Sequence, residues 1–360
     1  MSGFAGYSAL KAAWHTDRIE FLRRGEQIAP IELQLILSDY CNQDCFFCAY
    51  RASNGLSVEQ FADEAGNKNP KRMIPKDKAE QIIRDAYRVG TRSVIFTGGG
   101  EPTAHPHHME LFTLAQSFGL DCGLNTNGII FRMGWEAVLP KFKYVRFSID
   151  AGTPDEYAKI RRSPPVQYGQ ALGNILRLRD ECERQGSACV IGAGYVVTPD
   201  NWESLSVGVR NLRDAGCHYV RLACMQSTEG RAPYGILWDK VSEVCALVSK
   251  NESRDGFQVI NLFDDRLGVT PDYSFCGMQQ FVLYIGANLK TYRCCYTAYT
   301  KHGETGDLSD KSLRDWLLSP EKKAAYSSFD ARSCSTCALD DKNRTINYML
   351  DPEPTHVNFV

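Results

Sequence analysis

Several things are scarce in this 360-residue sequence, and each scarcity excludes a class. No apolar run approaches the roughly 20 residues that span a bilayer; stretches such as Phe281-Val-Leu-Tyr-Ile285 are far shorter. The N-terminal MSGFAGYSALKAAWHTDRIE lacks a charged segment followed by an apolar one, so no secretory signal is read there. Net charge is nearly absent: at −2, the chain has no positive excess with which to hold nucleic acid through phosphates alone. Internal repeats and low-complexity tracts are missing too. The expectation is a soluble, cytoplasmic protein with no membrane partner.

Cysteine, by contrast, is abundant, at 14 residues. Dense disulfides belong to small secreted chains that cannot build a core, whereas 43% apolar residues over this length can build one. In a reducing compartment clustered cysteines more often hold metal, so their spacing carries the information.

From residue 31 onward β-branched runs alternate with helix-period segments. Strands are expected at Glu32–Ser38, Ser93–Thr97, Asp121–Asn125, Tyr144–Ile149, Cys189–Val197 and His218–Cys224, with helices between them. Such βαβ units give a parallel sheet, here an α/β partial (β/α)6 TIM-like barrel over residues 31–235, with its chemistry at the C-terminal strand ends. Residues 1–30 read as an N-terminal extension. After about residue 235 the pattern changes to a helix, a strand-turn-strand unit (Gln280–Ile285, Leu289–Arg293) and a further helix. That shift suggests a smaller α+β module over residues 236–345, with 346–360 as a C-terminal tail. The polar segment 49–75 reads as a long loop of the kind that often carries function.

The loop after the first strand reads Cys41-Asn-Gln-Asp-Cys45-Phe-Phe-Cys48. Three thiolates so spaced can bind three irons of a [4Fe–4S] cube and leave the fourth iron open; zinc or a fully ligated cluster completed by a distant residue is the alternative. This C-x3-C-x2-C motif, with Phe47 before its last cysteine, resembles the signature of the radical S-adenosylmethionine (radical SAM) enzymes. The resemblance implies that the open iron chelates SAM. Electron transfer from the reduced cluster then releases a 5′-deoxyadenosyl radical that abstracts hydrogen from a substrate.

Three further segments fall in the family's order. Gly98-Gly99-Gly100-Glu101, after the second strand, resembles the element that binds the SAM amino group. On the fourth strand, alternation puts Arg146, Ser148 and Asp150 on one face. The resemblance makes Ser148 a ribose contact and leaves Asp150 to orient ribose or substrate. Arg221, inside the sixth strand, needs an anion, and the SAM carboxylate is a suitable one. Asn125 lies at the mouth after the third strand, and the small residues before Tyr195 leave room for adenine. His105, His107 and His108 read as a solvated helix entry rather than a metal site.

Cys276, Cys294, Cys334 and Cys337 form a second, spread set that suits a four-cysteine site closing a small module, with structural zinc as the competitor. Their order around a hairpin resembles the twitch domain, a shortened SPASM domain that holds an auxiliary [4Fe–4S] cluster. Adjacent strand residues point oppositely, so only one of Cys294 and Cys295 joins this set; Cys294 is preferred, and Cys295 is left as a spare, packed or hydrogen-donating thiol. Cys122, Cys182, Cys189, Cys217 and Cys245 read as core thiols. Cys295, Tyr195 and Asp150 are the candidate catalytic residues.

The function expected is rearrangement or dehydrogenation of a small polar substrate (nucleoside, amino acid or aminocyclitol-like), with an electron donor such as flavodoxin or ferredoxin. Alternatives are a phage-type enzyme isomerising an aminoacyl-thymidine, in which case the substrate is a modified nucleoside or nucleotide; a peptide maturase; and a non-catalytic iron–sulfur or zinc protein.

Overall fold

In the computed structural model, which describes residues 6–355, the alternating runs become strands and helices. Residues 1–5 of the expected extension and 356–360 of the expected tail lie outside the described residues. Chain order is α1 (Thr16–Arg23), β1 (Glu32–Ile36), α2 (Lys76–Arg88), β2 (Ser93–Thr97), α3 (His108–Ser117) and β3 (Asp121–Thr126). Next come β4 (Tyr144–Ser148), α4 (Pro154–Arg161), α5 (Val166–Gln185), β5 (Val190–Val196), α6 (Leu205–Asp214) and β6 (Tyr219–Ala223). The remainder is α7 (Trp238–Glu252), β7 (Gln258–Asn261), α8 (Met278–Phe281), β8 (Val282–Ile285), β9 (Lys290–Tyr292), β10 (Glu304–Asp307), α9 (Leu313–Leu317), α10 (Pro320–Ser327) and α11 (Asp340–Leu350).

Each helix forms for local reasons and docks through one face. In α2 the buried residues Ala79, Ile82, Ile83 and Ala86 recur at helical spacing, so one stripe meets the sheet. At the start of α4 the Thr153 side chain accepts from Glu156 N, and Glu156 accepts in turn from Gly152 N at 2.5 Å, a reciprocal cap with Pro154 in the first turn. Gly186, at φ +61°, ends α5 in the left-handed conformation that glycine adopts without a Cβ penalty.

The ten strands form one sheet, in the order β10-β9-β8-β1-β2-β3-β4-β5-β6-β7. β1 to β7 run parallel in sequence order, β8 pairs parallel with β1, and β9 and β10 continue antiparallel. This is the expected parallel barrel, left open. Its sheet extends past residue 235, because β7 adds a further parallel strand and the expected hairpin joins β1 directly. The first strand of that hairpin is shorter than expected, since residues 278–281 are helical. The expected tail boundary at 346 falls inside α11, which packs on α1 and on the helical turn Ala9–Trp14. Ile346, Ile19, Ile28, Ile31 and Phe281 make a small second core there.

The sheet has two faces of different character. Val145, Phe147, Ile191, Ala193, Val220 and Leu222 are buried under the helices. Facing the lumen, Gly123 and Gly192 leave space for the rings of Tyr144 and Tyr219, which a Cβ at either glycine would strike. Ser148, Gly194 and Arg221 share one row across β4, β5 and β6, and Asn125, Arg146, Gly192 and Tyr219 share another.

At the C-terminal end of β1 the chain runs tightly against the turn after β2. Gly100 N donates to Ser38 O at 3.0 Å and Glu101 N to Tyr40 O at 2.9 Å. A Cβ at Gly100 would lie 2.1 Å from Tyr40 O and 2.4 Å from its carbonyl carbon, both backbone atoms. Gly100→Ala must therefore displace the start of the cysteine loop. It is expected to cost about 1–3 kcal/mol in denaturant unfolding and to lower iron uptake on reconstitution; unchanged stability and iron content would show the seam to be slack.

Candidate active site

Cys41, Cys45 and Cys48 lie together on the loop that follows β1. Several residues hold that loop. Asn69 brackets Cys41, its Oδ1 accepting from Cys41 N and its Nδ2 donating to Cys41 O, both at 3.0 Å. Asn127 Nδ2 lies 3.9 Å from Cys41 Sγ and donates to Asn42 Oδ1 at 2.7 Å. Asp44 N and Phe46 N donate to the carbonyls of Arg161 and Ile160 at the end of α4. Burial pushes the Cys41 thiol up to about 11 and the Cys45 thiol up to about 12. Two guanidiniums that sequence reading did not single out oppose that trend. Arg51 donates to Gln43 O at 2.6 Å beside Cys48 and Cys41, and Arg161 stands beside Cys45. Nothing in their spacing announces them, because the loop folds back over itself.

Glu101, expected as part of the element that meets the SAM amino group, has a structural task as well. It is buried: Oε1 accepts from Thr103 N, Thr103 Oγ1 and Thr126 Oγ1, and Oε2 accepts from Asn127 N at 2.8 Å. The carboxylate thus ties the turn after β2 to the turn after β3. Gly98 and Gly99 are close-packed too, a Cβ at Gly99 falling 2.5 Å from the Phe61 ring.

Asp150 and Tyr195 are corrections. β4 ends at Ser148, so the alternation that would aim Asp150 into the lumen stops two residues earlier. Asp150 instead forms a buried ion pair with Arg161, and its Oδ1 accepts from Val196 N at 2.7 Å. Tyr195 is fully buried on the outer face, where its ring meets Gly208 of α6. The inward residues of β5 are Gly192 and Gly194, which fixes Tyr195 on the helix side. The histidine expectation also changes: His105 and His108 are buried and bonded to Ile74 O and His105 O, and only His107 sits near solvent, paired with Glu110.

Other expected residues do reach the lumen or its mouth. Asn125 donates to Thr97 Oγ1 at 3.2 Å while its own Oδ1 is buried without a partner, an acceptor available to a ligand. Ser148 and Arg221 flank Gly194, where a Cβ would find nothing nearer than 3.5 Å, so the row has room. Phe47 lines a cavity of about 200 Å3 with Phe46, Asn54, Pro199, Met225 and Gln226, at the C-terminal ends of β5 and β6.

The four spread cysteines come together. Cys276, Cys294, Cys334 and Cys337 line one cavity with Tyr273, Arg293 and Phe329. Around them Tyr273 Oη donates to Cys337 Sγ at 3.8 Å, Asn343 Nδ2 donates to the same sulfur at 3.6 Å, and His302 Nε2 stands 3.5 Å from Cys334 Sγ. Cys295 is not part of that lining. Its charged and phenolic neighbours are Arg266, Glu32, Tyr50 and Tyr284, on the barrel side of the hairpin. Among the described residues, no group of three or more His, Cys, Asp or Glu side chains is arranged to hold a single metal ion, and no helix is long and apolar enough to cross a membrane.

An open parallel barrel with a thiol triad after its first strand and a second thiol set on an adjoining hairpin is the arrangement that the resemblance to radical SAM enzymes implies. The comparisons agree. Residues 35–206, just under half of the chain, match the model of the Radical SAM superfamily. The fold resembles Streptococcus suis SuiB bound to S-adenosylmethionine, at 17% identity over 94% of this chain and 79% of that one, with a TM-score of 0.61. It also resembles native anSMEcpe with bound AdoMet, at 15% identity over 89% of this chain and 96% of that one, with a TM-score of 0.55. Among curated relatives, 188 residues are 25% identical to the tungsten-containing aldehyde ferredoxin oxidoreductase cofactor-modifying protein of Pyrococcus furiosus, covering 51% of this chain and 48% of that protein. A further 96-residue match, 29% identical, is to a probable GTP 3′,8-cyclase of Thermococcus kodakarensis, over 27% of each. The chain therefore spans only about a quarter to a half of the length of these curated relatives.

Asp150 and Tyr195 can be told apart by measurement. Asp150→Asn strands Arg161 as a buried charge and is expected to cost about 3–5 kcal/mol in chemical unfolding. Tyr195→Phe should stay within about 1 kcal/mol of wild type in the same measurement; a larger loss would show that its hydroxyl is engaged in the fold.

Proposed function

We propose that the protein is a radical SAM enzyme that reductively cleaves S-adenosylmethionine and uses the resulting radical on a small polar substrate in the barrel lumen. In this reading Cys41, Cys45 and Cys48 hold a [4Fe–4S] cluster with one open iron, and Cys276, Cys294, Cys334 and Cys337 hold an auxiliary [4Fe–4S] cluster. The observation that carries it is the placement of two separate thiol sets on one sheet, flanking one polar lumen. The donor chemistry fits: three thiols on one loop supply three ligands and no fourth, whereas the second set supplies four. When bound, the first cluster and SAM supply a carbon-centred radical; the rest is the work of this chain's own residues.

Phe47 and the wall formed by Pro199, Met225 and Gln226 make a slot of suitable shape for the adenine. Ser148 and the free acceptor of Asn125 offer hydrogen bonds to ribose, and Arg221 offers a charge to the methionyl carboxylate. Arg51 and Arg161 place positive charge beside the triad, which favours the thiolate form needed for ligation. Segment 49–75 covers this end of the barrel. It is fastened there by the buried Asp39–Arg72 pair, by the Tyr299 hydroxyl donating to Asp39, and by Gln60 N donating to Tyr299 O at 2.9 Å. Such a cover excludes water from a reactive intermediate. Cys295, on the lumen side of the hairpin, is the candidate donor of a hydrogen atom to a substrate radical. Electrons for the reductive step come from a flavodoxin- or ferredoxin-type donor, and full ligation by four cysteines suits the second cluster to relay electrons rather than bind substrate.

Iron counting and anaerobic product analysis test this together. Reconstituted wild type should hold about eight irons per chain and form 5′-deoxyadenosine. Cys45→Ala should abolish that product. Cys276→Ala should fall to about four irons while the remaining cluster still changes its EPR signal when SAM is added. About four irons with one zinc in wild type would remove the auxiliary cluster, and no EPR response to SAM in wild type would remove the whole reading.

A further inference from the structure

The lumen carries positive charge that the protein itself leaves unmatched. Arg146 and Arg221 enter from β4 and β6, and Arg266 from the turn after β7, bonded to Tyr296 Oη at 2.7 Å. Burial and then the Arg146 and Arg266 charges bring Arg221 down to about 10, whereas the phenols beside Arg146 and Arg266 hold those two up. Among the described residues, none forms an ion pair with any carboxylate, and the Arg221 Nε is buried without a hydrogen-bond partner. Glu32 is the nearby acid, and its Oε1 accepts from Gln34 Nε2 at 2.7 Å. Four carboxylates line the outer rim: Asp340 pairs with Arg344, Asp264 accepts from Ser242, Asp341 accepts from Lys342 N, and Asp265 faces the same cavity.

One oxygen already sits among these guanidiniums. Arg146 Nη1 donates to Tyr7 Oη at 3.1 Å, and the Arg221 guanidinium lies 5.8 Å from the centre of the Tyr7 ring. Burial pushes that phenol up, but the Arg146 and Arg221 charges, with hydrogen bonds to Tyr219 and Arg146, bring it down to about 7. Tyr7 and Arg266 also line a cavity of about 430 Å3 that opens beside Leu339 and Lys342, giving a route in from the open side of the barrel.

We infer that the substrate bears a phosphate monoester, which takes the seat of the Tyr7 hydroxyl between Arg146, Arg221 and Arg266. This rests on the reading above and names the substrate class for that site. With Arg221 turned to the SAM carboxylate, Arg146 and Arg266 still supply two fixed positive charges, which match a phosphate dianion better than a carboxylate. Arg266 lies beside Cys295, so an anchored phosphate places the rest of the substrate between the triad and that thiol.

The test is thermal unfolding and equilibrium binding on the anaerobically reconstituted chain, with inorganic phosphate and thymidine 5′-monophosphate as probes. Chloride at matched ionic strength and thymidine are the controls. Phosphate should raise the unfolding temperature where chloride does not. Arg146→Gln and Arg266→Gln should each weaken phosphate binding by about tenfold or more. Tyr7→Phe keeps the arginines and removes the competing oxygen, so it should bind phosphate more tightly than wild type. The monophosphate binding more tightly than phosphate would assign the anion to a nucleotide, and equal binding would assign it to a smaller phosphoester. No stabilisation beyond chloride, or phosphate binding unchanged in both Arg146→Gln and Tyr7→Phe, overturns the inference. The EPR response to SAM, read in the same samples, separates the two failures: a normal response without phosphate binding discards only the phosphate, whereas a missing response discards the radical SAM chemistry.

Discussion

Much of the site depends on one buried cation, Arg161. It stands at the C-terminal end of α4, pairs with Asp150 just past β4, and its Nη1 donates to Gln43 Oε1 at 3.2 Å within the cysteine loop. Its carbonyl accepts from Asp44 N, and its guanidinium lies 5.7 Å from the centre of the Tyr157 ring. Through Asp150, which accepts from Val196 N, the same network reaches β5. A helix, two strands and the thiol loop therefore share one charge pair, and no member can move alone. Low local dielectric makes removal of any one member expensive, and the Arg161 Nε is already buried without a hydrogen-bond partner. Arg162, in the left-handed conformation at φ +47°, ends α4 directly after Arg161 and so sets where Arg161 stands.

The second thiol set depends on the first through the sheet. β8 pairs in register with β1, so Glu32 faces Val282 and Leu35 faces Ile285. β9 pairs with β8, and the chain leaves it at Arg293, immediately before Cys294 and Cys295. The two cysteines then divide: Cys294 faces Cys276, Cys334 and Cys337, and Cys295 faces the barrel. The hairpin is part of the barrel's own sheet, but Cys294 and Cys295 lie past the end of β9, so the turn that follows the strand divides them rather than strand alternation. Tyr299, after β9, donates its hydroxyl to Asp39 beyond β1, and Tyr50 of the covering loop bonds Tyr284 of β8, so both stitch the same seam.

What the sequence made legible was local. Strand cores, helix ends marked by glycine, the triad and the final C-x2-C pair are written in short windows, and the structure places them within a residue or two. What it hid was either non-local or hung on a single residue of register. The pairing of β8 with β1 joins residues some 250 positions apart, and no nearby residue signals it. Asp150 was misplaced because alternation was carried past the last pleated residue of β4. Tyr195 was legible in principle, since two inward glycines on β5 already imply an outward Tyr195. His105 and His108 look polar in a list of letters, yet His105 finds the Ile74 carbonyl of the covering segment and His108 finds the His105 carbonyl within its own turn.

The lumen shows where stability and function part. Desolvated guanidiniums without carboxylates raise the free energy of the folded chain, and a sequence shaped for stability alone would have placed apolar residues there. Arg146, Arg221 and Arg266 are nevertheless carried by rigid elements, two of them on central strands and one bonded to Tyr296, so they cannot swing out to water. Positive charge held in place by the scaffold is preorganised for an anion, because the reorganisation that binding would otherwise require has been completed in folding. The Tyr7 hydroxyl meets part of that demand from the N-terminal segment, which packs against α11 at the open side of the barrel. A group supplied by a peripheral segment can be withdrawn without unfolding the barrel, whereas a carboxylate built into β4 or β6 could not. That difference explains why the partner of Arg146 is a phenol from the chain's beginning and not an acid from the neighbouring strand.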